Sequence, residues 1–174
     1  MIKRLAEREL RTKFGTFTEV LYYDGRKESI AIVMGDVDGG EDILCRVHSH
    51  CVGAHLFNSI ECDCREQMAA AQAAIEKAGR GIVIWLDQEA KGNGHLALIQ
   101  STPFKRAGDP QAIAYQKAGF RADARDYQAA AQILTDLDVK SVVLLANDNH
   151  KADELLRDGI DVSGTRLLTL SPSP

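Results

Sequence analysis

The stretch Gly79-Arg80-Gly81-Ile82-Val83-Ile84-Trp85-Leu86 decides the fold class. After its second glycine it is continuously apolar, as a strand covered on both faces would be. The residues before it have another period. Between Cys64 and Ala78, the side chains Met68, Ala71, Ile75 and Ala78 recur at helical spacing, with Asp63 as a starting cap and Gly79 as a stop. Working outward, the loop Asp87–Gly94 leads into a short helix to about Ser101. Asp109-Pro110 opens another helix, to Ala118, and Asp126–Leu137 forms a third. Ser141–Leu145 reads as a buried strand, Lys151–Arg157 as a helix and Asp161–Leu170 as a last strand before a Ser-Pro-Ser-Pro tail. Upstream, Thr16–Tyr23, Ser29–Met34 and Asp42–Val47 read as an antiparallel meander punctuated by Asp24-Gly25 and Gly39-Gly40. The expectation is an α/β fold, a mixed β-sheet flanked by helices, in a single domain over residues 1–174.

Composition narrows the function. The 174 residues are 45% apolar and 26% charged, which excludes disordered, collagen-like and coiled-coil chains. Lys and Arg number 21 against 25 Asp and Glu, a formal charge of −4, so neither nucleic acid nor a membrane is expected as a partner. No apolar run approaches the roughly 18 residues of a membrane span. Charged residues within Met1–Glu7 leave no apolar signal core, so a cytoplasmic location is expected.

Four cysteines, at 45, 51, 62 and 64, are the most informative residues. In a reducing compartment such a cluster reads as metal ligands or nucleophiles rather than disulfides. Cys51 lies just past a strand end, and Cys62-Asp63-Cys64 just before a helix. In an extended Cys-x-Cys segment both thiols face the same way, and helix amides stabilise thiolates there. Three thiolates suit zinc and leave a coordination position for water. Two other readings stand beside this one: three buried structural cysteines, or a closed site with a fourth ligand from His48, His50 or His55. The His-x-Glu and Pro-Cys-x-x-Cys signatures of zinc deaminases are missing. Cys45, inside a strand, reads as a small buried hydrophobe.

Arg46-Val47-His48-Ser49-x-Cys51, followed by Cys62-Asp63-Cys64 and Gln67, resembles the GTP cyclohydrolase II family. The resemblance continues through Gly79-Arg80-Gly81-Ile82, Gln88-Glu89, Gly119-Phe120, Asp123-x-Arg125-Asp126-Tyr127 and Asn147-x-x-x-Lys151. It implies an α/β domain, usually a homodimer, that opens the imidazole ring of GTP, loses C8 as formate and splits off pyrophosphate at the entry to riboflavin synthesis. Carried over by residue, it makes Cys51, Cys62 and Cys64 zinc ligands whose bound water attacks C8. Asp123 becomes a base, and Arg125 the group that attacks or steers the α-phosphate. Arg46, Gln67, Glu89 and Lys151 match nucleotide-contact positions, with Val47, His48, His50, Lys91 and Thr102 counted among the substrate-binding residues. Magnesium is expected if a triphosphate binds.

The pattern also breaks. The family's usual Arg-Gln-Glu-Gly-Arg-Gly is Asp87-Gln88-Glu89-Ala90-Lys91-Gly92 here, and its Ser-Glu-Cys is Ser49-His50-Cys51. The usual catalytic tyrosine falls on Thr102, while Phe104 and Tyr115 match no motif position. Usual threonine contacts fall on Gln111 and Ala146. These changes avoid the cysteines and the Asp-x-Arg pair and gather on substrate recognition. Three readings follow: a zinc-dependent cyclohydrolase with GTP as default substrate, a paralogue hydrolysing a C–N bond of another heterocycle or nucleotide, and a non-catalytic zinc-containing nucleotide-binding module.

Overall fold

The computed structural model describes residues 1–146 and 150–170, the side chain of His150 excepted. Asn147 of the Asn147-x-x-x-Lys151 motif and the tail 171–174 lie outside the described residues. The chain runs β1 (Lys3–Thr12), β2 (Gly15–Tyr23), β3 (Glu28–Met34), β4 (Ile43–Ser49), α1 (Val52–Phe57), α2 (Cys64–Ala78) and β5 (Gly81–Leu86). It continues through α3 (His95–Arg106), α4 (Gln111–Lys117), α5 (Gln128–Asp136), β6 (Ser141–Leu145), α6 (His150–Arg157) and β7 (Asp161–Arg166).

The strands form one seven-stranded sheet in the order β1-β2-β3-β5-β4-β6-β7. β1, β2, β3 and β5 pair antiparallel, whereas β5, β4, β6 and β7 run parallel. The mixed sheet expected from the sequence is therefore present. The simple meander is not. β4 runs antiparallel to β3 but does not pair with it, because β5 is inserted between them, Ile32 opposite Val83 and Val47 opposite Ile84. The reason lies in burial. β5 is apolar on both faces and takes the covered central position, while the 35–42 connection swings away and is held by Gly39 N–H on the Asp138 carbonyl.

Both faces are packed. On one, α5 places Ala130, Ile133 and Leu134 against Val47, Ile84 and Leu144. On the other, Ala71 and Ile75 of α2 meet Phe17, Ile32 and Val83. Met68 is half-buried as expected, but Ala78 is exposed because the last turn of α2 overhangs the sheet. β1 carries no apolar alternation. Its Lys, Arg and Glu side chains guard a sheet edge, and Arg8 pairs with Glu19 across the hairpin.

Two element ends differ from expectation by more than two residues. α3 runs on through Pro103 to Arg106 rather than stopping near Ser101. Proline deletes one helical N–H, but Ser101 Oγ and Thr102 Oγ1 both donate to the Leu98 carbonyl and hold the turn before it. β7 ends at Arg166, and the segment beyond it still buries Leu168.

Gly81 marks where α2 and the sheet come closest. A Cβ there would lie 2.7 Å from Ile75 Cγ1 and 2.9 Å from the Leu44 carbonyl oxygen. Gly81→Ala is expected to cost about 2 kcal/mol, read as a fall of roughly 4–8 °C in Tm; an unchanged Tm contradicts the packing described.

Candidate active site

The site forms at the carboxyl ends of the parallel strands, where open α/β sheets place their ligands. β4 delivers Cys51, the N-cap of α1. Cys62 and Cys64 flank Asp63, the N-cap of α2. The three Sγ atoms lie within 4.8 Å of one another, with Cys51 and Cys62 3.6 Å apart. Ligands about 2.3 Å from a tetrahedral zinc stand about 3.8 Å apart, so the cluster fits the ion. Among the described residues no histidine or carboxylate joins the group, which leaves the fourth-ligand reading from His48, His50 or His55 without support. A hydrogen bond from Cys64 pulls the Cys62 thiol down to about 5, and the same bond pushes Cys64 well up. Burial raises Cys51. The cluster lies at helix N-termini, which favour thiolate over thiol.

β4 alternates. Cys45 and Val47 point into the core, where burial pushes the Cys45 thiol up to about 12. Arg46 and His48 point to the other face, both buried. Arg46 donates to the Leu145 carbonyl at 2.9 Å and to Gln67 Oε1 at 2.5 Å, and Gln67 donates in turn to Asp63 Oδ1 at 2.7 Å. This chain fixes the first turn of α2 against β4. Buried Lys151 donates to the Val47 carbonyl at 2.9 Å, so Val47 contributes its backbone. His48 Nδ1 lies 3.4 Å from Arg46 Nε, and its ring packs on His55 with centroids 5.1 Å apart. The Nε2 atoms of both histidines and Ser49 Oγ are buried without a hydrogen-bond partner among the described residues.

Past β5, the polar loop zips onto the 121–126 segment. Gln88 binds both backbone groups of Asp126, Asn93 binds both of Arg121, and Ala124 N–H donates to the Lys91 carbonyl. Gly92 is required: a Cβ would lie 2.5 Å from the Ala124 carbonyl oxygen, at φ +82. Ala90 and Lys91 also hold positive φ, so alanine occupies a left-handed turn that suits glycine, offset by packing its methyl with Ala97 and Tyr115. The zipper brings Lys91 within electrostatic reach of Asp123. Arg125 grips Asp123 through Nε at 2.9 Å and Nη2 at 2.5 Å and lies 5.7 Å over the Tyr127 ring. Burial raises the Asp123 carboxyl, but the bonds from Arg125 outweigh it and the net shift is downward.

Glu89 links the halves. Its Oε2 accepts from Val52 N–H at 2.7 Å, at the start of α1 beside Cys51. His50 and Asp87, two of the unusual residues, face each other at 3.4 Å, with the His50 ring edge-on to Trp85. Trp85 is thus only half-buried, not a full core residue. Thr102 lines a cavity of 280 Å³ together with Cys51, Cys62, Ser101, Lys105 and Gln111. A larger groove of 980 Å³, under the outer alanines of α2, contains none of the expected site residues.

Sequence reasoning set Tyr115 aside. Its phenol is buried and pushed up to about 12 by desolvation, then by the charges of Glu89, Cys51, Cys64 and Asp123, so it lies where the two halves meet. Ser101 and Lys105 were missed, although Leu98, Ser101, Thr102 and Lys105 recur at i, i+3, i+4 and i+7, one helix face with a polar strip.

Fold and cluster together define an α/β domain with a three-cysteine centre of the metal-binding kind. The GTP cyclohydrolase II family model matches residues 3–166, and the chain belongs to that family, whose members are hydrolases acting on C–N bonds. It is similar to "Riboflavin biosynthesis protein RibBA" of Bacillus cereus, 42% identical over 153 residues, 87% of this chain and 38% of that protein. The RibBA of Bacillus mycoides is 40% identical over 172 residues, 98% of this chain and 43% of the relative. That of Mycobacteroides abscessus is 40% identical over 181 residues, 99% and 42%. The chain spans about two fifths of the length of these curated relatives. Among solved structures, RibBX, a two-domain 3,4-dihydroxy-2-butanone 4-phosphate synthase from A. baumannii, is similar with a TM-score of 0.51 and 18% identity, over 95% of this chain and 40% of that one. That likeness concerns the fold alone. No helix of the described residues is long and apolar enough to cross a membrane.

His48 generates a pH prediction. Burial, then the charges of Arg46, His55 and Lys151, lowers its pKa from 6.5 to about 2. The unfolded chain takes up this proton near pH 6.5 and the folded one does not, so stability is full above that pH and falls below it. Between pH 7 and 5 the wild type should lose about 2 kcal/mol more than His48→Gln. Urea denaturation at equal metal loading measures this, and parallel pH profiles would refute it.

Proposed function

We propose that this chain is a zinc-dependent cyclohydrolase that opens the imidazole ring of GTP, with C8 lost as formate, in the riboflavin-forming route for which its relatives are named. The observation that carries this reading is a three-thiol cluster without a fourth protein ligand among the described residues, joined through Glu89 to the 87–94 loop, which is zipped to the segment carrying Asp123 and Arg125. Cys51, Cys62 and Cys64 would hold the ion. Bound by three thiolates, zinc supplies a Lewis acid and lowers the pKa of water.

The remaining work falls to the protein's own side chains. Asp123 is ionised at neutral pH and accepts a proton. Arg125, already forked onto Asp123, supplies a planar cation suited to phosphate oxygens. Arg46, Gln67 and Lys151 form the buried polar wall behind β4 and take the nucleotide contacts. Glu89 faces the heterocycle with acceptor oxygens, and Lys91 adds charge beside Asp123. His50 acts through its contact with Asp87, and His48 through Arg46. The domain covers residues 1–174 and works as a cytoplasmic homodimer, with magnesium accompanying a triphosphate and with neither nucleic acid nor membrane as partner.

A second reading, hydrolysis of a C–N bond in another heterocycle or nucleotide, is favoured by one observation. Thr102 stands at the cavity wall beside Cys51 and Cys62, and the only hydroxyl it offers is already donated to the Leu98 carbonyl. A non-catalytic module with a closed zinc site is disfavoured by the absence of a histidine from the cluster among the described residues.

Incubation of the zinc-loaded protein with GTP, GDP, GMP, guanosine and guanine, read by mass spectrometry and a formate assay, tests the proposal. Gain of water on GTP with formate release is expected; no change on any of the five moves the assignment to the second reading. Cys62→Ser should lose metal. Asp123→Asn and Arg125→Ala should stay folded and lose about 100-fold or more in turnover; full activity in both would remove the assigned roles.

A further inference from the structure

The cavity beside the cysteines has one wall on which only Thr102 falls at a family motif position. It is the face of α3 formed by Leu98, Ser101, Thr102 and Lys105. Charge is distributed unevenly along it. Arg106 donates to Glu61 Oε1 from both Nε and Nη2, at 3.3 and 2.7 Å, so these two cancel. Among the described residues, Lys105 Nζ donates to the Glu61 carbonyl at 3.3 Å and forms no ion pair. Of the two cations lining this cavity, it is the one without an ion pair among the described residues, although the Glu61 carboxylate also feels its charge. Glu61 directly precedes Cys62, so the carbonyl contact holds Lys105 at the cavity wall it shares with Cys51 and Cys62.

The electrostatics of the proposed reaction favour a cation here in addition to Arg125 and Lys91. Three thiolates around a dication carry about one net negative charge, and a phosphorylated substrate is itself an anion. An approach of like charges is opposed unless a cation stands at the entrance. We propose that Lys105 is a specificity-determining residue that binds the phosphate of the substrate at the mouth of the cavity beside Cys62. This rests on the cyclohydrolase reading and adds to it a phosphate contact outside every matched motif. Arg106 acts as a positioning residue: its two bonds hold the Glu61 carboxylate out of ion-pair distance of Lys105.

Binding of inorganic tripolyphosphate to the zinc-loaded protein, measured calorimetrically, tests this without turnover. Lys105→Gln should weaken it about tenfold, and Lys105→Arg should retain it within about threefold. Arg106→Gln should weaken it too, and the further change Glu61→Gln should restore it. Lys117→Gln, whose lysine is paired to Asp109 at 2.7 Å outside the site, is the control and should leave it unchanged. With GTP, Lys105→Gln should raise KM about tenfold while kcat holds, and the salt dependence of KM should flatten. Equal tripolyphosphate binding by wild type and Lys105→Gln, or none by wild type, overturns the assignment. Failure of the parent reading looks different: tripolyphosphate binds in a Lys105-dependent way, but GTP is not opened.

Discussion

Three thiols from two separated segments meet within 4.8 Å of one another, and much of the architecture serves that meeting. Cys51 can arrive only from the end of a strand, and Cys62 and Cys64 only from the approach to a helix. The two must share one end of the sheet. Parallel strands meet the requirement because their carboxyl ends lie together, and β4 stands between parallel neighbours β5 and β6. The Arg46–Gln67–Asp63 chain then locks α2 to β4, so that Cys64 cannot drift from Cys51. Buried cations are costly unless their donors are engaged. Here Arg46 and Lys151 engage backbone carbonyls at the ends of β6 and β4, which ties their burial to the geometry of the same strand ends.

The second half of the site is held by backbone hydrogen bonds more than by packing. Gln88 and Asn93 use their amides as substitute strand neighbours for the 121–126 segment, which has no regular partner of its own. This division separates the loop residues of this chain that keep the expected pattern from those that depart from it. Gln88 and Gly92 carry the zipper and match the family pattern. Asp87, Ala90 and Lys91 do not carry it with their side chains, and they depart from the pattern. Asp87 also meets His50, another departure, so two changes that look independent along the chain are one contact in space.

Legibility followed local chemistry. α2 and β5 were readable to the residue because period, cap and stop agreed over a long stretch. The cysteine cluster was readable because its ligands lie close in sequence. β1 was not, since an edge strand clothed in charge has no apolar alternation to detect. The insertion of β5 between β3 and β4 was invisible for another reason: pairing order depends on which strand most needs cover, a comparison across the whole sheet. Tyr115 escaped because its motif position is silent. Its place depends on α4 folding back over the 87–94 loop, a tertiary contact with no local signature.

Glu89 shows how the two halves act as one. Its carboxylate caps α1 through Val52 N–H and accepts from Ala90 N–H at 3.2 Å. An ionised carboxylate has about four acceptor positions, so two remain after these bonds. Capping and recognition of a heterocyclic N–H pair are therefore compatible on one side chain, and neither needs the other to be released. The cap sits one residue from Cys51. On the proposed reading, the carboxylate that faces the heterocycle is therefore also the group that fixes the start of α1 beside the Cys51 thiol.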